Sequence, residues 1–151
     1  MDSETIRLAP VTEHDRDTWE RLWSAYLEFY GTTLPPDAFD AGFAQLLATD
    51  PTVFNGLIAW DGDDALGLVH WVHHPHMWRR EGVVYLQDLF TVPQARGKGV
   101  ARKMIEAVYA DADARGAPHV YWMTAETNYQ GRILYDRIGR LTPFIKYERA
   151  A

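Results

Sequence analysis

The densest chemistry in the sequence lies between Val83 and Ala101. An apolar run from Val83 to Val92 stops at Pro93 and leads through Gln94-Ala95-Arg96-Gly97-Lys98-Gly99 into Val100-Ala101, where helical spacing begins. Two glycines at alternate positions let backbone approach a ligand without interference from a Cβ. The first amides of the helix that follows have no intrahelical partner and sit at the positive end of its dipole. Such an end takes a phosphate or diphosphate. Lys98 and Arg102 add positive charge at its rim.

Three kinds of phosphate loop are told apart by their residues. A P-loop needs G-x-x-x-x-G-K followed by Ser or Thr, but Lys98 is followed by Gly99. A dinucleotide fingerprint needs G-x-G-x-x-G/A at the first strand–helix turn; here Arg102 fills the last position and the turn comes late in the chain. The acyl-CoA pattern Q/R-x-x-G-x-G/A is met by Gln94, Gly97 and Gly99.

These residues must be positioned by the elements around them. Ile6 to Val11 reads as a first strand, and Thr12 with Asp15 as a capping box opening a helix. Trp19, Leu22, Trp23, Tyr26, Leu27 and Tyr30 follow at helical spacing up to Gly31. A second helix begins after Pro35-Pro36, with Phe39, Phe43, Leu46 and Leu47 as its apolar stripe. Phe54–Trp60 and Leu66–His73 flank Asp61-Gly62-Asp63-Asp64 as a hairpin. Val83–Val92 is the longest strand. A third helix runs from Gly97 to Arg115-Gly116, facing inward with Val100, Ala101, Met104, Ile105 and Val108. Val120–Ala125 is a strand, Gln130–Ile138 a fourth helix, and Phe144–Glu148 a last strand. The expected order is β-α-α-β-β-β-α-β-α-β, a mixed sheet with helices packed on it.

Composition narrows the classes. A chain of 151 residues fits one domain and is long enough to close its own core. The absence of cysteine excludes disulfides, zinc–thiolate sites and a cysteine nucleophile. A net charge of −6 argues against nucleic-acid or anionic-membrane binding and suits a cationic partner. No apolar stretch reaches the roughly 18–20 residues of a membrane span, and Met1-Asp2-Ser3-Glu4 lacks the basic start of a signal peptide. The expectation is a soluble cytoplasmic protein.

The chain resembles the GNAT superfamily of N-acetyltransferases over essentially its whole length. The resemblance is carried by Tyr85-Leu86-Gln87-Asp88-Leu89-Phe90-Thr91-Val92 and the loop after it, by Val120-Tyr121-Trp122-Met123-Thr124, and by Asn128 through Leu134-Tyr135 to Gly139. Within the superfamily it is most similar to the histone-and-other-protein acetyltransferase subgroup. The resemblance implies an α/β (α+β) fold over residues 4–150, one domain with a mixed sheet of about six to seven strands and four helices. It implies acetyl-CoA as donor and direct transfer of acetyl to a primary amine: a small amine, an amino acid, a polyamine or a lysine of a basic peptide. The carrier's arm is expected beside Leu89, Phe90, Thr91 and Val92, where the amide of Phe90 or a neighbour polarises the acetyl carbonyl. The diphosphate is expected on the amides of Arg96, Gly97, Lys98, Gly99, Val100 and Ala101, with Arg102 nearby. Asn128 holds the arm or orders the next helix, and Tyr135 is the acid toward the departing sulfur. Tyr26, Tyr30 and Thr32-Thr33-Leu34 border the acceptor pocket, and Phe144–Glu148 forms a homodimer contact.

The base is where the sequence departs from the pattern. Diamine-type relatives carry Glu where this chain has Gln87, and an amide can only orient an acceptor or a water. Asp88 is adjacent, although regular strand alternation turns it to the opposite face. Glu126 stands slightly ahead of Asp88, and a water chain or capture of neutral amine is a third route. Without an effective base the chain reads alternatively as a non-catalytic acyl-CoA-binding sensor. His70, His73, His74 and His76 lack cysteine or a tight carboxylate partner in sequence, so no metal site is expected.

Overall fold

The computed structural model describes residues 5–151. Residues 1–4, on which the reading of the N-terminus rested, lie outside the described residues. The elements are β1 (Ile6–Pro10), α1 (Arg16–Phe29), α2 (Pro36–Leu47), β2 (Asn55–Asp61), β3 (Asp64–His76), β4 (Arg79–Thr91), α3 (Val100–Ala114), β5 (Val120–Tyr121) and α4 (Tyr129–Ile138). One sheet runs in the order β1-β2-β3-β4-β5. Its first three pairings are antiparallel and the β4–β5 pairing is parallel.

Local chemistry accounts for the element boundaries. The Thr12 amide donates to the Asp15 carboxylate at 2.8 Å, completing the box that leads through a short 3₁₀ turn into α1. Pro36 opens α2, where a missing amide proton costs nothing. The β2–β3 turn carries Gly62 at φ 59°, a left-handed conformation that glycine adopts without strain.

Each face of the sheet is covered. Trp19 and Leu22 of α1 and Phe43 and Leu46 of α2 pack on Ile58, Leu68 and Phe90. Val100, Met104, Ile105 and Val108 of α3 pack on Ala59, Val69, Trp71, Val84 and Leu86. The layers are tight at Gly67, where an added Cβ would lie 2.3 Å from the Phe90 carbonyl oxygen.

Five expectations are corrected. The strand expected over Val120–Ala125 pairs only at Val120 and Tyr121. Phe144–Glu148 forms no strand: its backbone pairs with none of the five strands, and its Phe144, Ile145 and Tyr147 are exposed. The sheet therefore has five strands among the described residues rather than six or seven. The β3–β4 hairpin also extends further than Leu66–His73 and Val83–Val92 suggested, reaching a turn at Met77-Trp78. Leu47, counted in the α2 stripe, is largely exposed. No helix among the described residues is long and apolar enough to cross a membrane.

Candidate active site

The site begins with a strand that loses its neighbour. β5 pairs with β4 only at Val84↔Val120 and Tyr85↔Tyr121, whereas β4 continues to Thr91. From Leu86 onward one edge of β4 is open to a ligand. On the other edge, β3 pairs Trp71 with Leu86 and His70 with Asp88, so Gln87 is an inserted residue in a β-bulge.

The bulge has two consequences. It breaks the alternation of side chains: Leu86 and Leu89 both pack on the α3 face, while Asp88 and Phe90 turn toward α1 and α2. It also sets which amides face the opening. The Val92 amide donates to Leu66 O at 2.8 Å. By the two-residue repeat of an antiparallel ladder, Phe90 is then the hydrogen-bonded partner of Leu68, and its amide points to β3. The amides of Leu89 and Thr91 point to the open edge. Of the candidates "Phe90 or a neighbour", the ladder therefore favours the neighbours.

The opening contains a narrow cleft lined by Tyr26, Tyr30, Leu86, Gln87, Leu89, Ile105, Trp122, Met123 and Tyr135. Tyr135 meets Trp122 edge-on at 5.6 Å between ring centroids. Burial, with a small contribution from Tyr30, pushes its phenol up to about 12. Asn128 caps α4: its side-chain oxygen accepts from the Gly131 amide at 3.2 Å, and its nitrogen donates to Thr124 Oγ1 at 2.9 Å. Both polar ends are engaged in ordering the helix, which is the second of the two roles expected for it.

At the end of β4, Gly97 and Gly99 take φ 78° and 83°, conformations that disfavour any residue with a side chain. A Cβ at Gly97 would meet nothing within 4 Å. Residues 96–99 are exposed and Val100 is buried, and no side chain caps the start of α3. Thr91 Oγ1 is a buried polar atom with no partner. An open cradle of amides, an open strand edge and a partnerless buried hydroxyl fit a phosphorylated carrier with an amide-rich arm. The Arg96 side chain is committed elsewhere: Nε donates to Thr91 O at 3.1 Å, and the guanidinium lies 5.5 Å from the Phe29 ring centroid. The exposed Lys98 and Arg102 remain at the rim.

A second, roomier cavity lies between the sheet and the first two helices, lined among others by Trp19, Trp23, Phe54, His70, Gln87 and Asp88. Gln87 lines both cavities. Asp88 is buried, and its Oδ2 lies 2.9 Å from His70 Nδ1. The Trp19 indole donates to His70 Nε2 at 3.1 Å. An indole can only donate, so the ring proton of His70 is on Nδ1 and points at Asp88. Burial and the adjacent Asp88 charge hold the Tyr26 phenol well above its usual range. Glu126 lies exposed before α4 and lines neither cavity.

His73 and His74 also have protein partners. His73 Nε2 lies 3.0 Å from Asp111 Oδ2, and His74 Nε2 lies 2.8 Å from the Tyr121 hydroxyl. The sequence does not reveal the contact of Trp19 and Asp88 with His70, which joins residues far apart in the chain. The bulge was not visible in the sequence, and without it Asp88 and Gln87 were assigned to opposite faces.

A family model described as "Acetyltransferase (GNAT) family" matches residues 17–139. The D-amino-acid N-acetyltransferase HPA3 of Saccharomyces cerevisiae is 38% identical over 152 residues, covering 99% of this chain and 93% of that protein. In fold, the chain is similar to AAC(6')-Iy in complex with a CoA bisubstrate analogue, with TM-score 0.82, 20% identity and coverage of 97% of this chain and 98% of that one. It is also similar to a ribosomal-protein-alanine N-acetyltransferase from Brucella melitensis, with TM-score 0.79, 16% identity and coverage of 97% and 99%.

Proposed function

The chain belongs to the GNAT acetyltransferase family and is an acetyl-CoA-dependent N-acetyltransferase of amines, and we propose that its acceptor is the amino group of an amino acid. The observation that carries this reading is the meeting of two cavities at Gln87. One lies along the open edge of β4, where a carrier arm fits. The other has a carboxylate among aromatic rings, a setting that attracts an ammonium group. The yeast relative, named for D-amino acids, supports the choice of acceptor. No lysine or arginine lines the second cavity among the described residues, so an amino acid's own carboxylate is placed toward solvent.

Acetyl-CoA, when bound, supplies the thioester. The amides of residues 96–101 receive its diphosphate, with Lys98 and Arg102 adding charge. Leu89 and Thr91 offer amides along the arm, and the Leu89 amide is the donor best placed toward the acetyl oxygen. Tyr135 faces the departing sulfur. At a pKa of about 12 against roughly 8.5 for a thiol, full transfer of its proton would run uphill. Its role is to donate a hydrogen bond as charge develops on sulfur.

The expected homodimer belongs to the same proposal. Leu141, Phe144, Ile145 and Tyr147 are exposed on a terminal segment without regular structure, and β5 is an edge strand. An exposed apolar segment and an unpaired sheet edge each suit a second copy of this chain.

Thiol release from acetyl-CoA, followed over D- and L-amino acids, polyamines and a lysine peptide, tests the acceptor class. The proposal expects the highest kcat/KM with an amino acid, and a preference for polyamine or peptide would overturn it.

A further inference from the structure

The reaction needs a proton acceptor, and Gln87 is not one. An acceptor amine arrives mostly as its ammonium at neutral pH, and an ammonium has no lone pair with which to attack. Among the described residues lining the two cavities, Asp88 is the one acidic side chain.

We propose that Asp88 anchors and deprotonates the acceptor ammonium, and that His70 and Trp19 are positioning residues that hold its carboxylate ready. This inference rests on the acceptor occupying the second cavity. The geometry runs in one direction. Trp19 Nε1 donates to His70 Nε2 at 3.1 Å, His70 Nδ1 donates to Asp88 Oδ2 at 2.9 Å, and all three residues are buried. His70 is neutral in this arrangement, and both its nitrogens are engaged. The proton must therefore go to Asp88 itself. The bulge at Gln87 aims this carboxylate into the cavity, one residue from Leu89, whose amide faces the carrier's arm.

The groups facing Asp88 fit the assignment. His70 meets it from β3, Tyr26 from α1 and Tyr85 from its own strand. The α2 residues lining the cavity, Ala38, Gly42, Gln45 and Leu46, carry no charge. No cation there competes with a substrate ammonium.

The proton balance is as follows. The ammonium gives one proton to the Asp88 carboxylate, and the freed nitrogen lone pair forms the bond to the acetyl carbon. As the carbon–sulfur bond breaks, its electron pair leaves with sulfur. The nitrogen gives its second proton to water, and the departing sulfur, hydrogen-bonded by Tyr135, takes one from water. Asp88 then returns its proton to water, so each turnover releases one proton.

The test is the pH profile of amine kcat/KM for the wild type and Asp88→Asn, with acetyl-CoA affinity measured by calorimetry. Wild type should be nearly flat from pH 7 to 9. Asp88→Asn should be about 100-fold slower at pH 7 and regain about tenfold per pH unit, because it can use only neutral amine. Its acetyl-CoA affinity should stay within twofold of wild type. A variant as fast as wild type at pH 7, or one slowed equally at every pH, overturns the proposal. If Asp88→Asn fails to bind acetyl-CoA, the positioning residue carries the test. His70→Leu should lower kcat about tenfold with acetyl-CoA KM unchanged, and His70→Asn, which keeps a donor near the Nδ1 position, should restore most of it. Equal losses in the two variants overturn the relay. Wild-type inactivity with every amino acid would instead count against the acceptor class.

Discussion

His70 and Asp88 face each other across β3 and β4, with Nδ1 and Oδ2 2.9 Å apart. Trp19 caps the other ring nitrogen, so the imidazole spends both its polar atoms inside the protein. A buried carboxylate left without such a donor would be costly. Here it is held between α1 and the sheet with its charge directed at a cavity.

The glycine loop depends on backbone conformation as much as on charge. Gly99 sits at φ 83° at the start of α3. Gly99→Asp should lower acetyl-CoA affinity by at least 100-fold, since it places a carboxylate at the diphosphate cradle. It should destabilise the fold by only about 1–2 kcal/mol, the cost of the left-handed conformation. Calorimetry and urea denaturation separate the two effects.

Tyr135→Phe should lower kcat by about tenfold or more and leave the KM for acetyl-CoA within twofold. That pattern marks an interaction made as the bond to sulfur breaks rather than in binding. Steady-state kinetics with the best amino-acid acceptor measures it. An unchanged kcat would make Tyr135 a packing residue against Trp122.

Much of this site was legible in the sequence because it depends on local chemistry. The glycines of the loop, Tyr135 and Asn128 are each placed by turn or helix signals within a few residues of their own positions. The bulge was not legible, since it arises from the register between β3 and β4, and no local pattern reports register. One inserted residue shifts Asp88 toward Gln87's cavity and exchanges the Phe90 amide for that of Leu89. Phe144–Glu148 differs for a related reason: apolar residues at strand-like density form a strand only where they pair, and pairing is set by contacts distant in sequence.

Asp111 of α3 is held by His73 and Trp71 of β3 and by Arg115 one turn on, with distances of 2.9–3.1 Å. Burial alone would raise its pKa, but those hydrogen bonds outweigh it and hold the carboxyl below its ordinary value. A depressed carboxyl contributes stability above its unfolded pKa and loses it as pH falls through the folded value. Asp111→Asn should therefore cost about 2 kcal/mol at pH 7. The gap should close below about pH 4, as followed by denaturation at each pH.

Gly67→Ala should destabilise strongly, by about 3 kcal/mol or more. Its Cβ would fall 2.3 Å from the Phe90 carbonyl oxygen and 3.1 Å from Met104 Cε, and the backbone oxygen cannot move without breaking the ladder. Thermal denaturation reads the loss directly.

Sedimentation should show a dimer for the wild type. Ile145→Glu should shift it toward monomer by placing a charge in the apolar terminal segment. A wild-type monomer at micromolar concentration would remove the dimer from the account.

The most direct measurement is a crystal structure of the protein with CoA. The account predicts the diphosphate on the amides of residues 96–101, the arm along the β4 edge at Leu89 and Thr91, and the sulfur beside Tyr135 at the cleft that shares Gln87 with the acceptor cavity. Density for CoA on the α1–α2 side of the sheet, or a sulfur remote from Tyr135 and Gln87, would contradict it.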